Sequence, residues 1–189
     1  CMGRTLCRTG GLTGYWEELP KMMMDVSLNF LMPWREIREE AAMALMEFLD
    51  GSAPDNRGRY ISEIYSLNDQ EIEGTHDFIQ WIFPLREASR AVFNAPVLSE
   101  DEVREIQGNQ AAQKNLAKSA EWYLGFLKRN KHWVAKYDHN HLRITRAIKS
   151  IRLLVGDREA DSLRNEILET LGDARSQIDP KAVSFWMDA

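Results

Sequence analysis

The chain has 189 residues, of which 44% are hydrophobic and 28% are charged, and its formal net charge is −5. This length suits one domain with or without a tail, and an acidic chain is not an obvious nucleic-acid binder as a whole. The cysteines Cys1 and Cys7 exclude a disulfide-rich scaffold. Because neither a signal-peptide pattern nor a run of about 20 apolar residues is visible, we expect a cytoplasmic protein without a transmembrane segment.

The N-terminal part of the chain lacks the apolar periodicity of a helix, so residues 1–32 are predicted to be a disordered or poorly ordered tail. Residues 33–189 are predicted to form a single helical domain. Its first helix is expected from about Trp34 to Leu49, because Pro33 suits a helix start and Gly51 stands just past the end.

Short segments separated by breakers follow this helix. Residues 60–65 are compatible with a short helix or an extended piece. Asn68 is predicted to cap a turn that Gly74 ends, and residues 75–83 form a short apolar segment that Pro84 terminates. In this segment Trp81 and Ile82 are predicted to belong to the core.

The C-terminal half carries the longer helical patterns. Ser99 and Glu102 form a capping-box signature ahead of a long helix to about Lys128, which Gly108 can interrupt. Further helices are predicted over 141–155 and 157–171, and a last one begins at Asp179-Pro180. Since no clear period-2 alternation occurs, the predicted fold class is all-α, a compact irregular bundle of about six to eight helices.

The charge of the chain is concentrated in one basic segment. Residues 128–152 hold eight lysines and arginines and the single acid Asp138. At about 100° per residue, the basic residues of helix 141–155 are predicted to lie outward, opposite its isoleucines. Such a stripe suits an acidic or phosphate-rich binding partner. It also suits a solvated helix face whose cations pair with acidic residues elsewhere in the chain, and residues 100–105 include four such acids.

Two groups of polar residues are candidate sites. His76 and Gln80 stand four apart, which on a helix predicts a shared face that either lines a pocket or satisfies buried backbone groups. Asp138, His139 and His141 are ligand types, but the two histidines are two apart and would not face each other on a helix. We therefore expect no metal and no cofactor, and we assign no catalytic residue.

Three segments resemble the conserved region of the opioid growth factor receptor family. They are Glu73–Glu87 with its Ile-Gln-Trp-x-Phe-Pro run, residues 94–99 with the long helix after them, and Asn140–Ser150 with its His-Leu-Arg-Ile-Thr-Arg run. The closing pair Phe185-Trp186 also resembles the family's end, so the resemblance covers about residues 45–189. By family name the resemblance implies an opioid growth factor receptor-type activity, and our own hypothesis is a non-enzymatic binding or regulatory module. Vertebrate members are described as nucleus-associated receptors for an enkephalin-type peptide.

Three functions remain open from the sequence. The leading hypothesis is a module that binds an unknown protein, peptide or acidic partner. One alternative is a nucleic-acid-binding domain that uses the basic segment 128–152, and the other is an uncharacterised enzyme with a His/Gln/Arg cleft. The candidate ligand- or partner-binding residues are His76, Gln80, His141, Arg143, Arg146, Lys149 and Arg152.

Overall fold

The computed structural model describes residues 45–89, residue 92 and residues 95–189. The predicted tail 1–32 and most of the first predicted helix lie outside these residues. Residues 45–50 are helical and form α1. The chain then turns at Gly51, whose φ of 91° lies in the region that favours glycine.

The described residues after α1 contain eight further α-helices and one 3₁₀ helix, and they contain no strand. An isolated parallel bridge joins Leu85 to Val97. The all-α prediction is therefore confirmed. The elements are α2 (Ile61–Ile64), α3 (Asp69–Gly74), α4 (Ile79–Ile82), α5 (Glu100–Gly108), α6 (Gln110–Arg129), α7 (Asn140–Leu154), α8 (Asp157–Leu171), the 3₁₀ helix (Gly172–Gln177) and α9 (Pro180–Met187).

Side-chain caps set several helix starts. The Asn68 side chain accepts hydrogen bonds from the backbone of α3, and Ser99 and Glu102 form the predicted capping box of α5. The predicted long helix is interrupted after Gly108, where Asn109 ends α5 and caps α6. The last helix α9 starts at the predicted Asp179-Pro180 position, and the Asp179 side chain caps it. By contrast, α8 begins at Asp157, and the residue at its N-cap position, Gly156, provides no side-chain cap.

The core forms where α7 packs against α6, α8 and α9. The predicted apolar face of α7 is buried, with Ile144, Ile148 and Ile151 almost inaccessible to solvent. Burying such side chains contributes about 1.5–3 kcal/mol each. The short helix α4 is buried on all sides, so the prediction that Trp81 and Ile82 belong to the core is confirmed. No helix among the described residues is long and apolar enough to cross a membrane.

Candidate functional site

The outward placement predicted for Arg143 is wrong. The side chain is only 5% exposed, and its guanidinium donates hydrogen bonds to the backbone oxygens of Ile72 at 3.0 Å and Thr75 at 2.8 Å. It also donates to Asn140 Oδ1 at 3.3 Å. These oxygens lie near the C-terminal end of α3, where a cation is favoured. Burial lowers the pKa of Arg143 below its ordinary value.

Arg146 is also drawn into the fold. Its Nε donates a 2.8 Å hydrogen bond to the backbone oxygen of Phe83, which follows α4. Burial lowers the pKa of Arg146 to about 10, although the carboxylate of Glu87 opposes this shift. The guanidinium therefore fixes the end of the α4 segment against α7 and is not a free surface charge.

The rest of the basic segment is largely paired. Four of its cations form ion pairs, although with other acids than the four predicted between residues 100 and 105. Lys131 donates to the backbone oxygen of Thr170, and Lys136 lies over the Tyr137 ring. The ion pairs are Lys128–Glu166, Arg129–Asp69, Lys149–Glu87 and Arg152 with Asp157 and Asp161.

His76 and Gln80 do not share a helical face. His76 precedes α4 and is exposed, and its Nδ1 lies 3.1 Å from the backbone oxygen of Gly74. Gln80 is buried within α4, and its Nε2 donates to Ser89 Oγ. The predicted pair is wrong because the helix starts only at Ile79, after His76.

His141 lies in a different part of the core. Its Nε2 donates a 2.9 Å hydrogen bond to the backbone oxygen of Trp133, and its ring packs edge-on against Trp186. Trp186 in turn donates from Nε1 to the backbone oxygen of His141 at 3.0 Å. Since Gln80 and His141 serve separate internal contacts, the structure does not bring the predicted His/Gln/Arg set together in one cleft.

A different polar cluster forms around Glu73, at the end of α3. We call it the Glu73 cluster; it holds three of the four histidines of the chain. Glu73 Oε2 lies 2.9 Å from His132 Nε2, and Glu73 Oε1 lies 3.2 Å from His139 Nε2. The His76 and His139 rings are 5.1 Å apart. The members of the cluster are Glu73, His76, His132, Asp138 and His139.

The charges of the Glu73 cluster are tuned by its surroundings. Burial opposes ionisation of Glu73, but hydrogen bonds from Asn140 and His132 outweigh it, so the pKa of this carboxyl is lowered. Burial also lowers the pKa of His139, with a further contribution from the nearby charge of Arg143. The cluster therefore combines an ionised carboxylate with a neutral imidazole at neutral pH. Glu73, Asp138 and His139 could hold a cation.

A separate groove opens beside α9. It has a volume of about 560 Å³, within the range of small ligand sites. None of its lining residues belongs to the Glu73 cluster. Arg175 is the only ionisable side chain among the described residues that line it. The lining residues are Ile178, Pro180, Val183 and Met187, which are apolar, and Arg175, Ser176 and Ser184.

The groove leaves a cation and large apolar side chains accessible. Among the described residues no carboxylate pairs with the Arg175 guanidinium. Phe185 and Met187 are exposed on α9, and the ammonium of Lys181 lies 5.9 Å from the Phe185 ring centre. Sequence reasoning missed this groove. The sequence feature that could have indicated it is the helical spacing of the apolar residues Pro180, Val183 and Met187. This spacing did not identify a groove because it is equally typical of a buried helix face.

Comparison with known proteins gives a family for the central part of the chain. Residues 39–132 match the family model described as the opioid growth factor receptor (OGFr) conserved region. Over 115 residues the chain is 30% identical to the opioid growth factor receptor of Homo sapiens. The aligned region covers 50% of this chain and 17% of the human protein.

A second relative matches more of the chain. The opioid growth factor receptor-like protein 1 of Mus musculus is 27% identical over 139 residues, which covers 62% of this chain and 30% of the mouse protein. The matches thus span less than a third of the length of either relative. No solved structure matches the chain. The family match includes Glu73 and His132, whereas the groove beside α9 lies beyond it.

Proposed function

The chain belongs to the opioid growth factor receptor conserved-region family, and we propose that it acts as a non-enzymatic module that binds an acidic peptide segment of a partner protein. The observation that carries the proposal is the groove beside α9, which has apolar lining residues and the Arg175 guanidinium, a group that pairs with no carboxylate among the described residues. Two relatives are named as receptors or receptor-like proteins. We also propose a cytoplasmic location, supported by cysteines confined to residues 1–7.

The lining of the groove defines the partner's chemistry. Ile178 and Val183 are almost buried in the core, so the accessible apolar lining is mainly Pro180 and Met187. One large apolar side chain of a partner can pack against them and be partly shielded from water. Arg175 can form a bidentate pair with a carboxylate, which is the geometry that a guanidinium prefers. An acidic segment with one large apolar residue therefore satisfies both parts of the groove.

The basic segment offers less to a partner. Arg143 and Arg146 bind backbone oxygens inside the fold, and Lys149 pairs with Glu87. A phosphate backbone would have to displace such contacts before it gained new ones. Binding of a partner through α7 stays a prediction. The nucleic-acid alternative assumed that the basic side chains of this segment are unpaired, whereas Arg143, Arg146 and Lys149 have partners within the fold.

The first test of the proposal is a peptide array. Hexapeptides with one Phe, Leu or Met and two Glu are compared with matched peptides in which Gln or Lys replaces both Glu. We expect the Glu peptides alone to be retained, because the lining cation is Arg175. For the best peptide, Arg175→Gln should weaken binding about tenfold, which corresponds to about 1.4 kcal/mol.

The matched control is Arg158→Gln, which removes an arginine whose side chain is 93% exposed and which does not line the groove. Its affinity for the peptide should equal that of the parent. The proposal fails if no Glu peptide is retained, or if Arg175→Gln and Arg158→Gln bind the peptide equally well.

A further inference from the structure

The Glu73 cluster lies apart from the groove beside α9 and contains residue types that bind metal ions. It places a carboxylate at the end of α3 beside a second carboxylate and an imidazole just ahead of α7. We propose that the cluster binds one divalent transition cation of the Zn²⁺ type. Glu73, Asp138 and His139 are the protein ligands, and a water completes the coordination. The inference is independent of the peptide groove.

The ligand atoms already lie close together. One atom from each of Glu73, Asp138 and His139 lies within 4.8 Å of the other two. His139 Nε2 and Glu73 Oε1 are 3.2 Å apart. Two ligands of a tetrahedral ion with bonds of about 2 Å are about 3.3 Å apart, so this pair needs little movement. The Asp138 ligand atom lies within 4.8 Å of the other two, so a small inward movement of this carboxylate brings it to the same ion.

His139 Nε2 is the most informative atom of the cluster. The atom itself is shielded from solvent although the His139 side chain is 37% exposed, and its 3.2 Å contact with Glu73 Oε1 does not have hydrogen-bond geometry. A buried polar atom without a hydrogen bond is costly and requires an explanation. A cation between this nitrogen and the carboxylate oxygen would satisfy both atoms at once.

Neighbouring groups hold the two carboxylates in place. Glu73 Oε2 accepts a 3.1 Å hydrogen bond from Asn140 Nδ2 and lies 2.9 Å from His132 Nε2. These contacts involve Oε2, so the other oxygen of the carboxylate, Glu73 Oε1, faces His139. Asp138 Oδ1 accepts from the backbone N–H of Asn140 at 2.8 Å. Such outer partners orient ligands in metal sites, and their loss typically weakens metal affinity about 10–100-fold.

The donor set selects the type of cation. One imidazole and two carboxylates without sulfur suit Zn²⁺, Co²⁺ or Ni²⁺, whereas Mg²⁺ and Ca²⁺ prefer oxygen ligands alone. The guanidinium of Arg143 lies on the same side of the core and donates to Asn140 Oδ1. Its positive charge reduces the attraction for any cation, so we expect micromolar affinity.

The test is calorimetric titration of the full chain, free of any affinity tag, with Zn²⁺ and separately with Mg²⁺. We expect one Zn²⁺ per chain, no measurable Mg²⁺ binding and a higher melting temperature with Zn²⁺. His139→Gln and Asp138→Asn should each weaken Zn²⁺ binding at least about tenfold. Glu169→Gln removes an exposed carboxylate elsewhere and should leave Zn²⁺ binding unchanged.

The cysteines of the N-terminal segment need their own control, since thiolates bind Zn²⁺ well. A variant with Cys1→Ser and Cys7→Ser should keep the full affinity for Zn²⁺. With Co²⁺ it should show absorption bands of nitrogen and oxygen ligands without a thiolate charge-transfer band. The proposal is overturned if Zn²⁺ does not bind, if binding disappears with the cysteines, or if the folded His139→Gln and Asp138→Asn chains bind as the parent does.

Discussion

At the scale of single residues, buried cations organise the centre of this fold. Arg143 satisfies the backbone oxygens of Ile72 and Thr75, and its guanidinium lies 5.7 Å from the Phe78 ring centre. A guanidinium can reach several acceptors at once because its donors form a rigid fork. Residues that a sequence pattern assigns to a ligand thus hold α3 and α7 together.

Replacement of Arg143 should therefore cost stability. Arg143→Lys keeps the charge but loses the fork, and it leaves at least one buried carbonyl oxygen without a donor. We expect a loss of about 1–3 kcal/mol in the free energy of unfolding, measured by urea denaturation. Arg158→Gln should change this free energy by less than about 0.5 kcal/mol. Equal stabilities of the two variants would show that Arg143 is not a structural residue.

Tyr65 supplies a prediction for alkaline pH. Burial raises the pKa of Tyr65 to about 12, and its hydroxyl lies 2.9 Å from both the Asn115 backbone oxygen and Ser119 Oγ. The unfolded chain loses this proton near pH 10, whereas the folded chain keeps it. The contribution to stability is complete below pH 10 and is lost as pH rises toward 12.

Urea denaturation of the parent and Tyr65→Phe at pH 9 and pH 11 measures this effect. Phenylalanine cannot ionise, so the parent should lose more stability than the variant over this interval. If both proteins lose the same amount, the Tyr65 hydroxyl titrates normally and is not buried in solution.

At the scale of elements, α4 is a helix of one turn whose stability comes from its surroundings. A helix of four residues is not stable alone, and Ile79, Trp81 and Ile82 supply buried contacts instead. Ile82→Ala should lower the free energy of unfolding by about 2–5 kcal/mol, measured by urea denaturation. The exposed Val97→Ala is the control, and a comparable loss in both variants would contradict a core position for Ile82.

Elements were predictable where the signal was local. Caps at Asn68, Ser99 and Asp179, and the apolar face of α7, depend on residues a few positions apart. The role of Arg143 was not predictable, because its partners Ile72 and Thr75 lie about 70 residues away. Helical periodicity places a residue on a face, but it does not show which segment covers that face.

At the scale of the whole chain, the candidate sites are made by distant segments. The Glu73 cluster joins α3 to the residues before α7, and only His76, Asp138 and His139 had been considered from the sequence. Glu73 opens the first segment of the family resemblance but had no predicted role, and His132 belongs to no motif. One Glu and one His far apart in the sequence form no recognisable spacing. The groove beside α9 was missed for a similar reason: Arg175 lies in the 3₁₀ helix, outside the helical pattern.

The central claim is that a partner binds beside α9 and that the basic segment is largely structural. Backbone amide chemical shifts, measured during titration with the best acidic peptide from the array, test this claim most directly. We predict that the largest changes occur at Arg175, Val183 and Met187. Changes confined to Lys128–Arg152, with none at the groove, would contradict the account.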